Sequence, residues 1–210
     1  MVHVKRPYDA TGRRTQAHRT RVRVLECARR VLLDRGYPET TVAAVAKAAG
    51  VSAETVYKAF GSKPRLVAAV VRRALEGSAQ APAETRSDAL QSTEPDPRAV
   101  IEGWGALTAE VSPLVAPLLL LVEAAAAHDP EVAALRDELD AARRERMRAN
   151  AARWAAAGHL RAGQEAEDVA TVLWTYTSPQ LYDLLVVRQR WSPQRFGEFV
   201  AQALRAHLLD

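Results

Sequence analysis

Cysteine is nearly absent from the chain: Cys27 is the one such residue among 210. That excludes an internal disulfide framework and suits a reducing compartment. Cys27 falls at helical spacing with Val24, Ala28 and Val31, which reads as packing, with a reactive thiol as the alternative. Glycine and proline, 10 and 11 residues, are too few for a linker or a fibre. No stretch alternates apolar and polar residues for long enough to make a strand. The opening "MVHVKRPYDATGRRTQAHRTR" has no apolar run of the kind a signal peptide needs. The most apolar segment, "LVAPLLLLVEAAAA", holds a Pro and a Glu and is too short to span a bilayer. Together these absences predict a cytoplasmic protein with no membrane partner. Catalytic patterns are missing too: no Gly-rich phosphate loop, no nucleotide fingerprint, no Ser/His/Asp or Cys/His set. The five His are scattered, so neither a metal site nor a cofactor is expected.

What is present is apolar enough to fold and unevenly charged. Hydrophobic residues make up 48% of the chain, sufficient for a core. Residues 1–75 hold 16 Lys+Arg against 5 Asp+Glu, while residues 76–210 hold 13 against 20. A part of net charge +11 is thus joined to a part of −7. That asymmetry suits a polyanion-binding module attached to an ordinary acidic one, or else a solvated basic face with no partner.

Helical spacing runs nearly throughout, so the expected fold class is all-α. A first helix over about 15–35 carries Val24, Leu25, Ala28, Val31 and Leu32 on one face and stops at Gly36. Two short helices follow, about 41–48 and 52–60, and a fourth starts after Ser62 with Pro64 in its first turn. The expected organisation is a basic arm over 1–18, a first helical domain over 19–78, a linker over 79–96 and a second helical domain over 97–210. The linker assignment rests on the polar, Pro-containing "GSAQAPAETRSDALQSTEPDPR". Beyond it a cap residue followed by Pro recurs at Asp96–Pro97, Ser112–Pro113, Asp129–Pro130 and Ser192–Pro193. These pairs predict helices at about 97–110, 113–127, 130–157 and 193–208; another, over 166–190, should kink or split at Pro179.

The segment "TTVAAVAKAAGVSAETVYKAFGSKPRL" carries the functional signal. Val42, Val45, Ala46 and Ala49 form one apolar stripe. Gly50 can take the positive φ that turns one helix sharply into the next, and Ser52 is a good N-cap for the second. Val56, Ala59 and Phe60 then face back onto the stripe, leaving Ala53, Glu54, Thr55, Tyr57 and Lys58 outward. This is the spacing of a helix-turn-helix, over about 41–60, whose second helix enters the major groove. Lys63 and Arg65 open the fourth helix, where the positive dipole end ordinarily draws acids. A phosphate opposite would relieve that, although solvated Lys side chains also tolerate the position.

The run "RVLECARRVLLDRGYPETTVAAVAKAAGVSAETVYKAFGSKPRLVAAVV" resembles the N-terminal domain of the TetR family of bacterial transcriptional regulators. The likeness includes "RGY", "TT", "AGVS", "YKAF" and the "SK" that opens the fourth helix. It implies that Thr40 or Thr41, Tyr57 and Lys63 hold phosphates, and that Ala53, Glu54, Thr55 and Lys58 face the bases beside the Ser52 cap. Glu54 repels phosphate but can accept from a cytosine amino group. The basic arm either reaches a minor groove or is a solvated tail.

The resemblance also implies an all-helical domain that binds a small-molecule effector and forms a homodimer through its last two long helices. Leu181, Leu185, Phe196, Phe199, Val200, Ala203 and Leu204 are the expected dimer face, packing within one subunit being the alternative. Trp104, Leu107, Leu118, Val122, His128, Trp154 and Trp174 lie where the family places its pocket, although Trp at helical spacing is more often core. His128, beside an Asp–Pro helix start, suits a cap or the surface better than a ligand. The function expected is a repressor released from a palindromic operator in double-stranded DNA by its effector. The alternative is an architectural or helical DNA-binding module without a pocket; an enzyme that holds a phosphorylated substrate lacks the motifs it would need.

Overall fold

Helical spacing becomes helix along almost all of the computed structural model, which describes residues 10–77, 79 and 81–209. Among these residues there is no strand. The chain divides into two compact units, residues 1–70 and residues 71–210.

The first unit opens with α1, Ala10–Glu39, whose helical path is broken at Gly36 (φ 76°, ψ 174°). The helix therefore includes residues 10–18, assigned above to an arm; residues 1–9 of that arm lie outside the described residues. Nothing in "ATGRRTQAH" breaks a helix except Gly12, so α1 runs back through it. α2 (Val42–Ala49) and α3 (Ala53–Phe60) follow. Gly50, at φ 63°, ψ 40°, closes α2, its N–H donating to Ala46 O and Lys47 O. The Ser52 hydroxyl then caps α3 by accepting from Thr55 N. Val42, Val45, Ala46, Ala49, Val56 and Phe60 are buried, as the stripe required, whereas Ala59, expected to face it as well, is exposed. Cys27 is a packing residue: its thiol donates to Ala48 O at 3.3 Å, tying α1 to the end of α2. α4, Lys63–Leu75, buries Leu66, Val67 and Val70 in its first two turns.

The second unit contains α5 (Ala83–Thr93), α6 (Pro97–Ala126), α7 (Pro130–Ala156), α8 (Ala166–Tyr176) and α9 (Pro179–Tyr182). α9 runs on as a π-helical segment, Asp183–Arg188, in which Gln189 N bonds Leu184 O five residues back, and α10 (Pro193–Leu208) ends the fold. Caps at Asp96, Asp129, Ser178 and Ser192 each accept from a backbone N–H of the first turn, with Pro at the first helical position.

Two expectations fail here. Residues 83–93 of the supposed linker are helix α5, held by polar bonds rather than an apolar stripe. Arg86 donates to both oxygens of Glu110 at 2.7 and 2.8 Å, and Trp104 Nε1 donates to Ser87 Oγ at 3.2 Å. Ser112–Pro113 starts nothing, because α6 is one helix of 30 residues with Pro113 and Pro117 inside it. Each Pro forfeits one backbone bond, but Trp104 and Thr108 before them and Val115, Leu118 and Val122 after them are buried, and that burial holds the path. By length and composition α6 is long and apolar enough to cross a membrane. In this fold it is the central core helix, packed by α5, α7, α9 and α10.

α6 and α10 approach through glycine. A Cβ at Gly105 would lie 2.7 Å from Gly197 O and 2.8 Å from Ala201 Cβ, and a Cβ at Gly197 would strike Gly105 O. The obstacle is backbone in both cases, so the helices must separate to admit a methyl. Gly197→Ala is expected to cost about 1–3 kcal/mol through overpacking. That should lower the thermal midpoint by several degrees in a calorimetric scan, whereas Gly158→Ala meets nothing within 4 Å and pays only for its positive φ of 78°.

Candidate functional site

Two places collect functional side chains, one in each unit. In the first unit, α3 is an amphipathic helix of eight residues with Val56 and Phe60 buried. Glu54, Thr55, Tyr57 and Lys58 are exposed on the other side, Tyr57 at 53%, and Ala53 is half-buried at the helix start. Ser52 Oγ and Thr55 Oγ1 lie 2.8 Å apart, so this hydroxyl pair is held at the start of α3 with exposed lone pairs left over. Arg21, which spacing did not single out, donates to Ala59 O at 2.9 Å and stacks over Phe60 at 4.3 Å. It closes the carbonyl end of α3 and thereby fixes how that helix is presented.

The two threonines of "TT" part company. Thr41 is exposed and caps α2, its hydroxyl accepting from Ala44 N at 3.0 Å. Thr40 is 1% exposed and donates inward to Gly36 O at 2.7 Å. Thr40 therefore cannot hold a phosphate; its hydroxyl closes the break after α1 instead. Lys63 lies at the start of α4 with its ammonium 4.0 Å above the Tyr37 ring and 3.4 Å from Pro38 O. Its position beside a helix dipole is thus eased by a ring face and a carbonyl. Neighbouring Arg65 is exposed, and its N–H donates to Ser62 Oγ at 3.3 Å.

In the second unit a cavity of about 240 Å³ opens among α5, α6 and α7 and the last turns of α4. Of the residues expected to form a pocket, Trp104 and Leu107 line it. Val122 and Trp174 line a neighbouring, more polar cavity of about 300 Å³, together with Arg136, Asp137 and Asp140. Leu118 and Trp154 line neither, being core: Trp154 packs against Trp104 with ring centroids 5.4 Å apart. His128 is exposed one residue before the α7 cap, a surface position. The first cavity also takes Arg143, Arg146 and Asn150 from α7 and Ser87 from α5, none of which apolar spacing flags. Arg143 donates to Trp174 O at 2.6 Å and to Asp140 at 3.2 Å. Burial pulls its guanidinium below the ordinary value, and the bond to Asp140 acts the other way.

The expected dimer face also divides. Phe196, Val200 and Leu204 are fully buried within the subunit, where Phe196 meets Tyr182 edge-on at 5.6 Å. They belong to the core that α10 forms with α6, so they are not a surface for a partner. Leu181, Leu185, Phe199 and Ala203 are half-buried. Leu184 and Val187, on the π-helical segment, are 50% and 55% exposed. The sequence carried that signal in the unbroken apolar run 184–187, which covers every side of a helix rather than one.

Comparison with known proteins agrees with this geometry. The family described as "Bacterial regulatory proteins, tetR family" matches residues 24–70, the stretch that holds α2, α3 and the start of α4. No curated protein matches the chain. Among solved structures, the TetR family transcriptional regulator CifR, a cysteine variant complexed with 26-bp double-strand operator DNA, is 28% identical. That superposition covers 88% of this chain and 94% of CifR at a TM-score of 0.63. NalD, the secondary repressor of the MexAB-OprM multidrug efflux pump in Pseudomonas aeruginosa, shares the fold at 18% identity and a TM-score of 0.70, covering 92% of this chain and 98% of NalD. A Saccharomonospora viridis protein in complex with choline does so at 19% identity and a TM-score of 0.66, over 92% and 99% of the two chains. The chain thus matches the TetR family model over residues 24–70 and shares the fold of TetR-family transcriptional regulators over nine-tenths of its length.

Proposed function

We propose that the chain is a repressor that binds a palindromic operator as a homodimer in the cytoplasm and leaves it when a small molecule enters the cavity lined by Trp104 and Leu107. The observation that carries this reading is the exposed face of α3. A short helix capped at Ser52 and held from behind by Arg21 presents Ala53, Glu54, Thr55 and Lys58 together. Thr41, Tyr57 and Lys63 flank that face as phosphate contacts, Lys63 steadied on Tyr37. The alternative of a DNA-binding module without a pocket is disfavoured by the cavity, whose walls combine apolar side chains with three donors. Coupling is supported by α4, a continuous helix that begins at Lys63 and ends with Val71 and Leu75, two residues of the cavity wall. Effector and operator must then oppose each other by equal factors. The choline of the Saccharomonospora viridis protein does not carry over, because Arg143 and Arg146 both line this cavity and disfavour a cation.

A salt titration tests the phosphate contacts. Lys63→Ala should weaken every duplex about equally and lower the slope of log affinity against log salt by roughly one unit. Tyr57→Phe should weaken all sequences alike without changing that slope. An unchanged slope for Lys63→Ala removes it from the interface and leaves it as a brace for Tyr37.

A further inference from the structure

Helix α7 offers one stripe to the cavity lined by Trp104 and Leu107: Arg143, Arg146, Met147 and Asn150, at i, i+3, i+4, i+7 spacing, all line it. The lining residues of α6 include Leu107, Val111, Val115 and Leu119, four apart and all apolar. The cavity thus has a hydrocarbon wall from one helix and hydrogen-bond donors from another.

Two of those donors have bonding capacity left. Asn150 is 5% exposed, and its Oδ1 accepts from Gln91 Nε2 at 3.2 Å. That bond sets the amide's orientation, and Nδ2 meets no acceptor among the described residues. Asn150 lines the cavity, which is where an acceptor for that amide N–H can stand. Arg146 uses one nitrogen, NH2, for Asp88 Oδ1 at 2.7 Å and Glu84 O at 3.2 Å, which leaves the rest of its fork to the cavity. Asp88 is shared, since Arg153 lies 3.2 Å from its other oxygen, so one carboxylate serves two guanidiniums. Glu84 is the one acid on the described lining and is exposed, where solvent screens it. Arg143 is committed to Trp174 O and Asp140, as part of the wall.

We propose that the cavity takes a small apolar carboxylate, its body against α6 and its oxygens received by Asn150 Nδ2 and the Arg146 guanidinium. This rests on the reading of the cavity as the effector site and names the chemical class of that effector. Both readers are donors, which excludes an ammonium head, and the shared Asp88 leaves positive charge that favours an anion over a neutral amide. Size agrees: an apolar cavity of about 150 Å³ holds benzene, so 240 Å³ admits one ring and a short polar arm.

Four probes on one skeleton test it with the full-length protein: ethylbenzene, 4-ethylbenzoate, 4-ethylbenzamide and 4-ethylbenzylamine. Binding is read by calorimetry and by tryptophan emission, Trp104 being in the cavity wall. The benzoate should bind about tenfold more tightly than the amide, and the amine not measurably. Arg146→Gln should erase most of that preference while ethylbenzene affinity stays within twofold. Asn150→Asp should lose the benzoate and gain the amine; if that variant does not fold, Arg146→Gln decides alone. The carboxylate class is overturned if the amine binds as well as the benzoate, or if Arg146→Gln leaves the benzoate-to-amide ratio unchanged. Ethylbenzene binding with no gain for the benzoate sinks the class but keeps the cavity as a ligand site. Silence from all four sinks both.

Discussion

Leu184→Asp combined with Val187→Asp is expected to turn a dimer into folded monomers and to cut operator affinity by a hundredfold or more. Both side chains are at least half exposed in the subunit, so charging them leaves its core untouched. Exposed substitutions of this kind ordinarily change subunit stability by no more than about 0.5 kcal/mol. In a dimer the same residues would be covered, and two facing carboxylates would have to lose their water. A monomer engages one half-site, forgoing the roughly 10²–10⁴-fold gain that linked binding confers. Leu204→Asp should behave differently, since Leu204 is fully buried against the α6 side of α10. Removing such a side chain typically costs about 2–5 kcal/mol before any charge is buried. That variant should therefore unfold rather than dissociate. Sizing by light scattering with circular dichroism separates the two outcomes. If the Leu184/Val187 variant remains a dimer, the interface lies elsewhere.

Thr55→Ala and Lys58→Ala are expected to relax sequence preference, whereas Thr41→Ala should weaken all duplexes alike. Thr55 and Lys58 project from the exposed face of α3, opposite Val56 and Phe60, where a helix in the major groove meets base edges. Losing a good base contact costs about 1–3 kcal/mol at one base-pair position and little elsewhere. Thr41 stands at the start of α2 with its hydroxyl accepting from Ala44 N, a place suited to backbone contact. Affinities for an operator and its single-base variants at fixed salt distinguish the roles. A uniform loss for both α3 variants, with the rank order of bases intact, would make them positioning contacts and move readout to Ala53 and Glu54.

The parts that sequence reveals are those decided within a few residues. Gly50, Ser52 and the buried stripe of α2 are local matters, as are the Asp–Pro and Ser–Pro starts at 96–97, 129–130 and 192–193 and the split at Pro179. What stayed hidden was decided by distant partners. α5 has no apolar stripe to announce it, because Glu110 and Trp104 hold it through Arg86 and Ser87. Ser112–Pro113 looks like a helix start until the burial on both sides of it is known. Thr40 and Thr41 are indistinguishable by spacing, and only the break at Gly36 turns one inward. Phe196, Val200 and Leu204 show the same limit: an amphipathic stripe predicts burial but not what buries it. Polar cavity residues such as Asn150 and Arg146 leave no periodic signal at all.

The central claim is that the exposed face of α3 reads a DNA sequence, and selection from a pool of random duplexes tests it most directly. The full-length chain, cycled against such a pool near physiological salt, should enrich one inverted repeat with half-sites separated by about one helical turn or a multiple of it. That duplex should bind at least roughly 10³-fold more tightly than a scrambled one of equal length, and Lys58→Ala should broaden the enriched set at one position in each half-site. A pool that remains random while all duplexes bind with one affinity and one salt slope would contradict it.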